Sequence, residues 1–218
     1  MTTLSGFLYN VVDPEQRLTA LLSETHRWAT VQGAIGNTRW ERVVFHSPEF
    51  ISGDQRATEA PYDYPITVRQ SATGSLLLLA ESKKIVEVFF EKYCRRLFRP
   101  ALKKIFVKVG DLVTHVVADP NHYVLTAANV RISAYGEALK SISFYGDDLA
   151  NATMFRENLH LMNPFSCGLR KVNGVSEVIR ISSDGAVTAV FVDDTAQEIV
   201  LALNYIYEAG FINRGRSL

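Results

Sequence analysis

Apolar positions recur along this chain with two different periods, and the switches between them sketch its elements. Leu18, Leu21 and Leu22 stand at helical spacing behind Asp13-Pro14-Glu15-Gln16. A capping aspartate, a proline suited to the first turn and a capping-box glutamine predict a short helix to about Glu24. Arg27 to Ala34 and Arg39 to His46 are rich in Trp, Val, Thr and Phe around Ile35-Gly36-Asn37-Thr38, which predicts a hairpin. Ile66 to Gln70 and Ser75 to Ala80 predict a second. The polar stretch from Ser47 to Pro65 holds three prolines and is expected to be a long surface loop.

From Ser82 to Phe98, the residues Ile85, Val86, Phe89, Phe90, Tyr93, Cys94 and Leu97 share one half of a helical wheel. That predicts an amphipathic helix ended or kinked at Pro100. Lys104 to Tyr145 is β-like throughout, the run Leu112-Val-Thr-His-Val-Val117 included, with a turn at Asp119-Pro120-Asn121. Asp147-Asp148 introduces a short helix over 149 to 162, and Asp184-Gly185 joins Glu177–Ser182 to Ala186–Val192 as a hairpin. A capping box, Thr195-Ala196-Gln197-Glu198, opens a last helix that runs to Ala209. That helix is apolar over most of its circumference, which places it in the core or against a partner. Hairpins with few, scattered helices predict an α+β fold: a largely antiparallel or mixed sheet packed by about four helices. One globular domain over 1–218 is expected, with 1–65 as a candidate N-terminal subdomain, and no internal repeat is visible.

Composition narrows the class. The chain has 218 residues, 47% of them apolar, enough to bury roughly 70% of its unfolded surface. Its longest apolar runs are five residues, against about 20 for a membrane helix, so no membrane association is expected. Two distant cysteines and no positively flanked apolar leader point to a reducing, cytoplasmic setting.

Charge adds more. The 23 basic and 23 acidic residues cancel overall, yet residues 81–108 carry nine basic groups against three acidic ones. Lys92, Arg95, Arg96, Arg99, Lys103, Lys104 and Lys108 run with no carboxylate between them. Such a face would attract a phosphate backbone or an acidic protein surface. The competing account is a solvated helix face neutralised by carboxylates such as Glu137, Asp147 or Asp148. Phe89, Phe90 and Tyr93 lie on its apolar side and are expected in the core, not as a base-stacking platform.

Three weaker constellations carry chemistry. His115, Asp119 and His122 offer imidazole and carboxylate within eight residues; on a strand His115 and Asp119 would share a face, although the spacing matches no metal-ligand pattern. Cys167, beside Gly168, would need a histidine base and a lowered pKa to act as a nucleophile, and packing is its simpler role. Gly33 to Arg39 superficially resembles a phosphate cradle but lies between strands. No cofactor or metal is expected. The function that follows is a non-enzymatic binding or adaptor module within a larger assembly, engaging a protein partner or a second copy of itself through the basic face. A nucleic-acid binder using Lys92 to Lys108 is the alternative. A cytosolic hydrolase or transferase built on Cys167 or the His115 group is the second.

Overall fold

A computed structural model describes residues 2–13, 15–23, 28–35, 40–51, 61–70, 74–98, 102–132, 141–174, 177–191, 196–208 and 211–213. The chain is α+β, its strand pairs are antiparallel, and it divides into two compact units, residues 3–105 and residues 106–218 with 1–2.

In the first unit the order is β1 (Thr2–Val11), α1 (Leu18–Ser23), β2 (Ala29–Ala34), β3 (Glu41–Ser47), β4 (Tyr62–Gln70), β5 (Ser75–Ala80) and α2 (Lys83–Phe89). A π turn at Phe90–Cys94, α3 (Arg95–Leu97) and β6 (Leu102–Lys104) follow. The strands lie in the order β2-β3-β4-β5-β1, and β6 pairs with β1. Both predicted strand pairs are present; residues 36–39 and 71–73 of their turns lie outside the described ones. Every residue of β5 is buried, as expected for a strand whose unbroken leucine run has no solvent phase. The first helix starts later than Asp13 suggests. Asp13 instead closes a turn, its carboxylate accepting from Glu15 N at 3.2 Å, and the first α1 amide, Leu18 N, donates to Gln70 Oε1 at 3.0 Å. A side chain 52 residues away thus satisfies an orphan donor that the local sequence leaves open. The expected loop also ends early, since β4 begins at Tyr62; residues 52–60 lie outside the described ones. Pro65 is tolerated within β4 because pairing with β5 covers only Thr67 to Gln70.

The second unit contains β7 (Phe106–Val107), α4 (Val109–Ala118), β8 (Tyr123–Ile132), β9 (Ile142–Tyr145), α5 (Thr153–Asn158), β10 (Met162–Lys171), β11 (Ile179–Ser182), β12 (Ala186–Phe191), α6 (Ala196–Glu208) and β13 (Ile212–Asn213). The strands run β9-β8-β10-β11-β12, and β7 pairs with β13. The Asp184-Gly185 turn is present, with Gly185 at φ 78° and Ala186 N donating to Asp184 Oδ1 at 3.1 Å.

One expectation needs correction here. The run 112–117 is helical, not extended. Val109, Leu112, Val113 and Val116, all buried, fall at helical spacing, and that burial outweighs the strand preference of valine. The last helix takes the core placement expected of it, with Ile199, Ala202, Leu203 and Ile206 buried and Leu201 and Asn204 exposed. Its tail does not stand free, because Phe211 is buried and Ile212 pairs with Val107. The capping box itself falls at Thr195, outside the described residues.

Each unit runs through one order: strand, helix, four-strand antiparallel meander (β2-β3-β4-β5; β8-β10-β11-β12), helix. In the second unit β9 and α5 are inserted after the first meander strand.

Candidate functional site

The basic segment is built by α2, its π turn, α3 and β6. Ile85, Val86 and Phe89 pack inward from α2, and Phe89 meets the rings of Phe45, Tyr93 and Trp28 at centroid distances of 5.3, 6.4 and 6.4 Å. The next fully buried residue of the helix is Cys94, five positions on, followed by Phe98 four further. An i→i+5 turn is what lets Phe89 and Cys94 face the same side. The extra residue rotates everything beyond Phe89 relative to a regular wheel. Tyr93 and Leu97 move to half-buried positions.

Lys92, Arg95, Arg96, Lys103, Lys104 and Lys108 are all exposed; Arg99 lies outside the described residues. Lys92 Nζ is 3.3 Å from Glu49 Oε2, and Arg95 Nη1 is 2.9 Å from Glu91 Oε2 one turn away. Both pairs are solvated and contribute little. Of the carboxylates expected to neutralise this face, Asp147 and Asp148 belong to the second unit, where the Asp148 carboxylate accepts from Ala150 N at 3.0 Å. Glu137 is outside the described residues.

Beside Arg95 and Lys104 opens a groove of about 480 Å³. Its floor is Phe7 and Tyr9 of β1 with Phe90 and Leu102. Tyr9 and Phe90 stack 4.0 Å apart and 8° from parallel, and the Lys104 ammonium sits 4.3 Å over the Phe7 ring. Glu87 and Glu91 complete the rim. Burial, reinforced by Cys94 and the two glutamates, holds the Tyr9 hydroxyl well above the usual phenol range. Sequence reading assigned Phe90 to the core. Phe90 stands one helical step, about 100°, beyond Phe89 and is half-buried, at the edge of the buried face that Ile85, Val86 and Phe89 define.

The other candidates are not brought together as catalytic groups. Cys167 is fully buried on the packed face of β10, aligned with Ala128, Ile181 and Val187. Burial, with Glu177 adding and Arg180 opposing, pushes its thiol up to about 12, the reverse of what a nucleophile needs. His115 ends α4 rather than lying on a strand, and Asp119 follows the helix as its C-cap. The Asp119 carboxylate accepts from Asn121 N at 3.3 Å and lies 3.9 Å from His122 Nδ1. Both histidines pack on Tyr205, at ring distances of 5.8 and 6.0 Å. No grouping of three metal-binding side chains occurs among the described residues. Gly33 belongs to the β2–β3 ladder, at φ 98° where the register shifts; residues 36–39 of the cradle-like run lie outside the described ones. Among the described residues no helix is long and apolar enough to cross a membrane.

The sequence matches no protein-family model and no curated protein.

Proposed function

We propose that this chain is a binding module whose groove between β1, β6 and the α2–α3 helix takes a segment of a partner protein, one that carries acidic residues around an apolar or aromatic side chain. The observation that supports this is the combination at one place of stacked rings, Tyr9 on Phe90, with Arg95 and Lys104 at the rim. Rings supply buried area for one anchoring side chain, and flanking cations select its neighbours and speed encounter. The volume suits a single anchor. Glu87 and Glu91 on the same rim favour a peptide over nucleic acid, since a uniform polyanion would meet two carboxylates where a mixed-sign segment need not. Arg96 and Lys103, both exposed, extend the positive field.

The test is selection from a random-peptide display library on the full chain, followed by titration of the enriched peptides. Acidic sequences around an aromatic or large aliphatic residue are expected. Their affinity should fall about tenfold in Arg95→Glu/Lys104→Glu, and again between roughly 0.1 and 1 M salt, where the screening length drops from about 10 Å to about 3 Å. Peptides indifferent to the double reversal would refute this assignment. Tight binding of a single-stranded oligonucleotide, with an affinity slope of several ions, would replace it by the nucleic-acid reading.

A further inference from the structure

On the sheet face opposite α2, three side chains from adjacent strands form a relay. Thr30 Oγ1 of β2 is 2.8 Å from His46 Nε2 of β3, and His46 Nδ1 is 2.7 Å from Asp63 Oδ1 of β4. Strand alternation places His46 on the face away from Phe45, whose ring meets Phe89 of α2. The direction of the relay follows from its chemistry. An ionised carboxylate only accepts, so Nδ1 of the neutral ring carries the proton, Nε2 is the acceptor, and the Thr30 hydroxyl donates. Hydroxyl to Nε2 and carboxylate to Nδ1 is the arrangement that activates a hydroxyl nucleophile, recognised by geometry and not by residue order.

Two features around Thr30 suit an acyl group. Thr30, Val44 and Pro65 lie in one cross-strand row, so the exposed threonine has buried Val44 beside it and exposed Pro65 beyond as apolar neighbours. The β2 strand ends the sheet order. Because His46 N donates to the Trp28 carbonyl at 2.8 Å, the alternation of an antiparallel ladder directs the Val31 N–H off that edge. Among the described residues, the amide following the nucleophile is thereby left for an oxyanion.

We propose that Thr30 is an acyl-accepting nucleophile, with His46 as its base and Asp63 orienting the ring, acting on small carboxylic esters. Thr30 Oγ1 bonds to the acyl carbon while its proton passes to His46 Nε2. The ester C–O bond then breaks: an alkoxide leaving group takes that proton, whereas a phenolate departs unprotonated and His46 passes the proton to solvent. Water next attacks the acyl-threonine, giving a proton to His46, and the intermediate collapses to the carboxylic acid as the departing Thr30 oxygen takes that proton back. The site is independent of the peptide groove.

The experiment uses p-nitrophenyl acetate on the full chain, with the released phenolate followed in time and the acetyl group placed by peptide mass mapping. One acetyl group on Thr30 with a burst of phenolate is expected. Thr30→Val, which keeps the β-branched shape, should abolish both. His46→Gln should slow acetylation about a hundredfold, the contribution of a positioned base, and Asp63→Asn should slow it by at least about tenfold. Far-UV circular dichroism confirms that each variant is folded. Acetyl groups found only on lysines, or Thr30 acetylation unchanged in His46→Gln, would overturn the proposal and make the relay a cross-strand polar ladder.

Discussion

Raising the pH should destabilise this protein through Cys167, and the size of the effect can be worked from its surroundings. The thiol is fully buried on β10, and its pKa moves from 9.0 in an ordinary setting to about 12. A group whose folded pKa is raised favours the folded state fully below the unfolded value, and that contribution is lost as pH climbs toward the folded one. The window is therefore between 9 and about 12. At about pH 11 the unfolded thiol is ionised and the folded one is not, a gap of roughly two pH units, or about 3 kcal/mol at 1.36 kcal/mol per unit. Other groups, Tyr123 with a pKa of about 12 among them, add to the loss, so the effect of Cys167 must be isolated by difference. Urea unfolding of wild type and Cys167→Ala at roughly pH 8 and 11 does this. The wild type should lose about 3 kcal/mol more than the variant over that interval, on top of a pH-independent cavity cost in the variant. Equal losses in the two proteins would refute the reasoning, and with it the placement of Cys167 in a dry core. A disulfide reagent gives a second reading: at about pH 8 only about one native thiol in ten thousand is ionised, against about one in ten when unfolded. Cys167 and Cys94, buried likewise, should react only after denaturation.

Gly168→Ala should cost about 2 kcal/mol in urea unfolding, because its Cβ would stand 2.1 Å from Glu177 Oε2 and drive that carboxylate from the Thr126 hydroxyl at 2.8 Å and Arg180 at 3.1 Å. Phe89→Ala, which empties a fully buried position among Trp28, Phe45 and Tyr93, should cost about 3–5 kcal/mol by the same measurement. Deleting Lys92, exposed within the π turn, brings Cys94 to four residues after Phe89. The helix should then close regularly, with unfolding free energy within about 1 kcal/mol of wild type; a loss of several would show that the turn is held by contacts beyond the spacing of its buried residues.

Much of the fold was legible where pattern and chemistry agree. Asp184-Gly185 is a turn because glycine adopts the positive φ found there and aspartate accepts from the following strand. The helix over 83–97 was visible from its apolar stripe. What escaped was decided at a distance. The first turn of α1 is satisfied by Gln70, so Asp13 is no guide to where the helix begins. The valines of 112–117 favour strands in isolation, and their helical placement follows from what Val109, Leu112, Val113 and Val116 bury. Of the candidate site, the cations were found by counting. Tyr9 and Lys104, which β1–β6 pairing sets opposite each other, stand 95 positions apart and share no local signature. The Thr30–His46–Asp63 relay was hidden for the same reason: only the register of three strands brings its members together.

The two units make plain how a local irregularity sets which residues a helix buries. Both follow a four-strand meander with a helix that buries one stripe. In α6 the buried residues are Ile199, Ala202, Leu203 and Ile206, spaced as a regular helix requires, and consecutive turns stack on one face. In the helix of the first unit the spacing from Phe89 to Cys94 exceeds a turn, and the π turn absorbs the surplus. A regular continuation would bury Tyr93 and Leu97 and turn Cys94 to solvent. The observed one buries Cys94 and Phe98, leaves Phe90 to stack on Tyr9, and carries Arg95 to the groove rim beside Glu91. The π turn thus decides which residues after Phe89 the core receives, Cys94 and Phe98 instead of Tyr93 and Leu97, while Phe90, one step past Phe89, stays at the edge where it stacks on Tyr9.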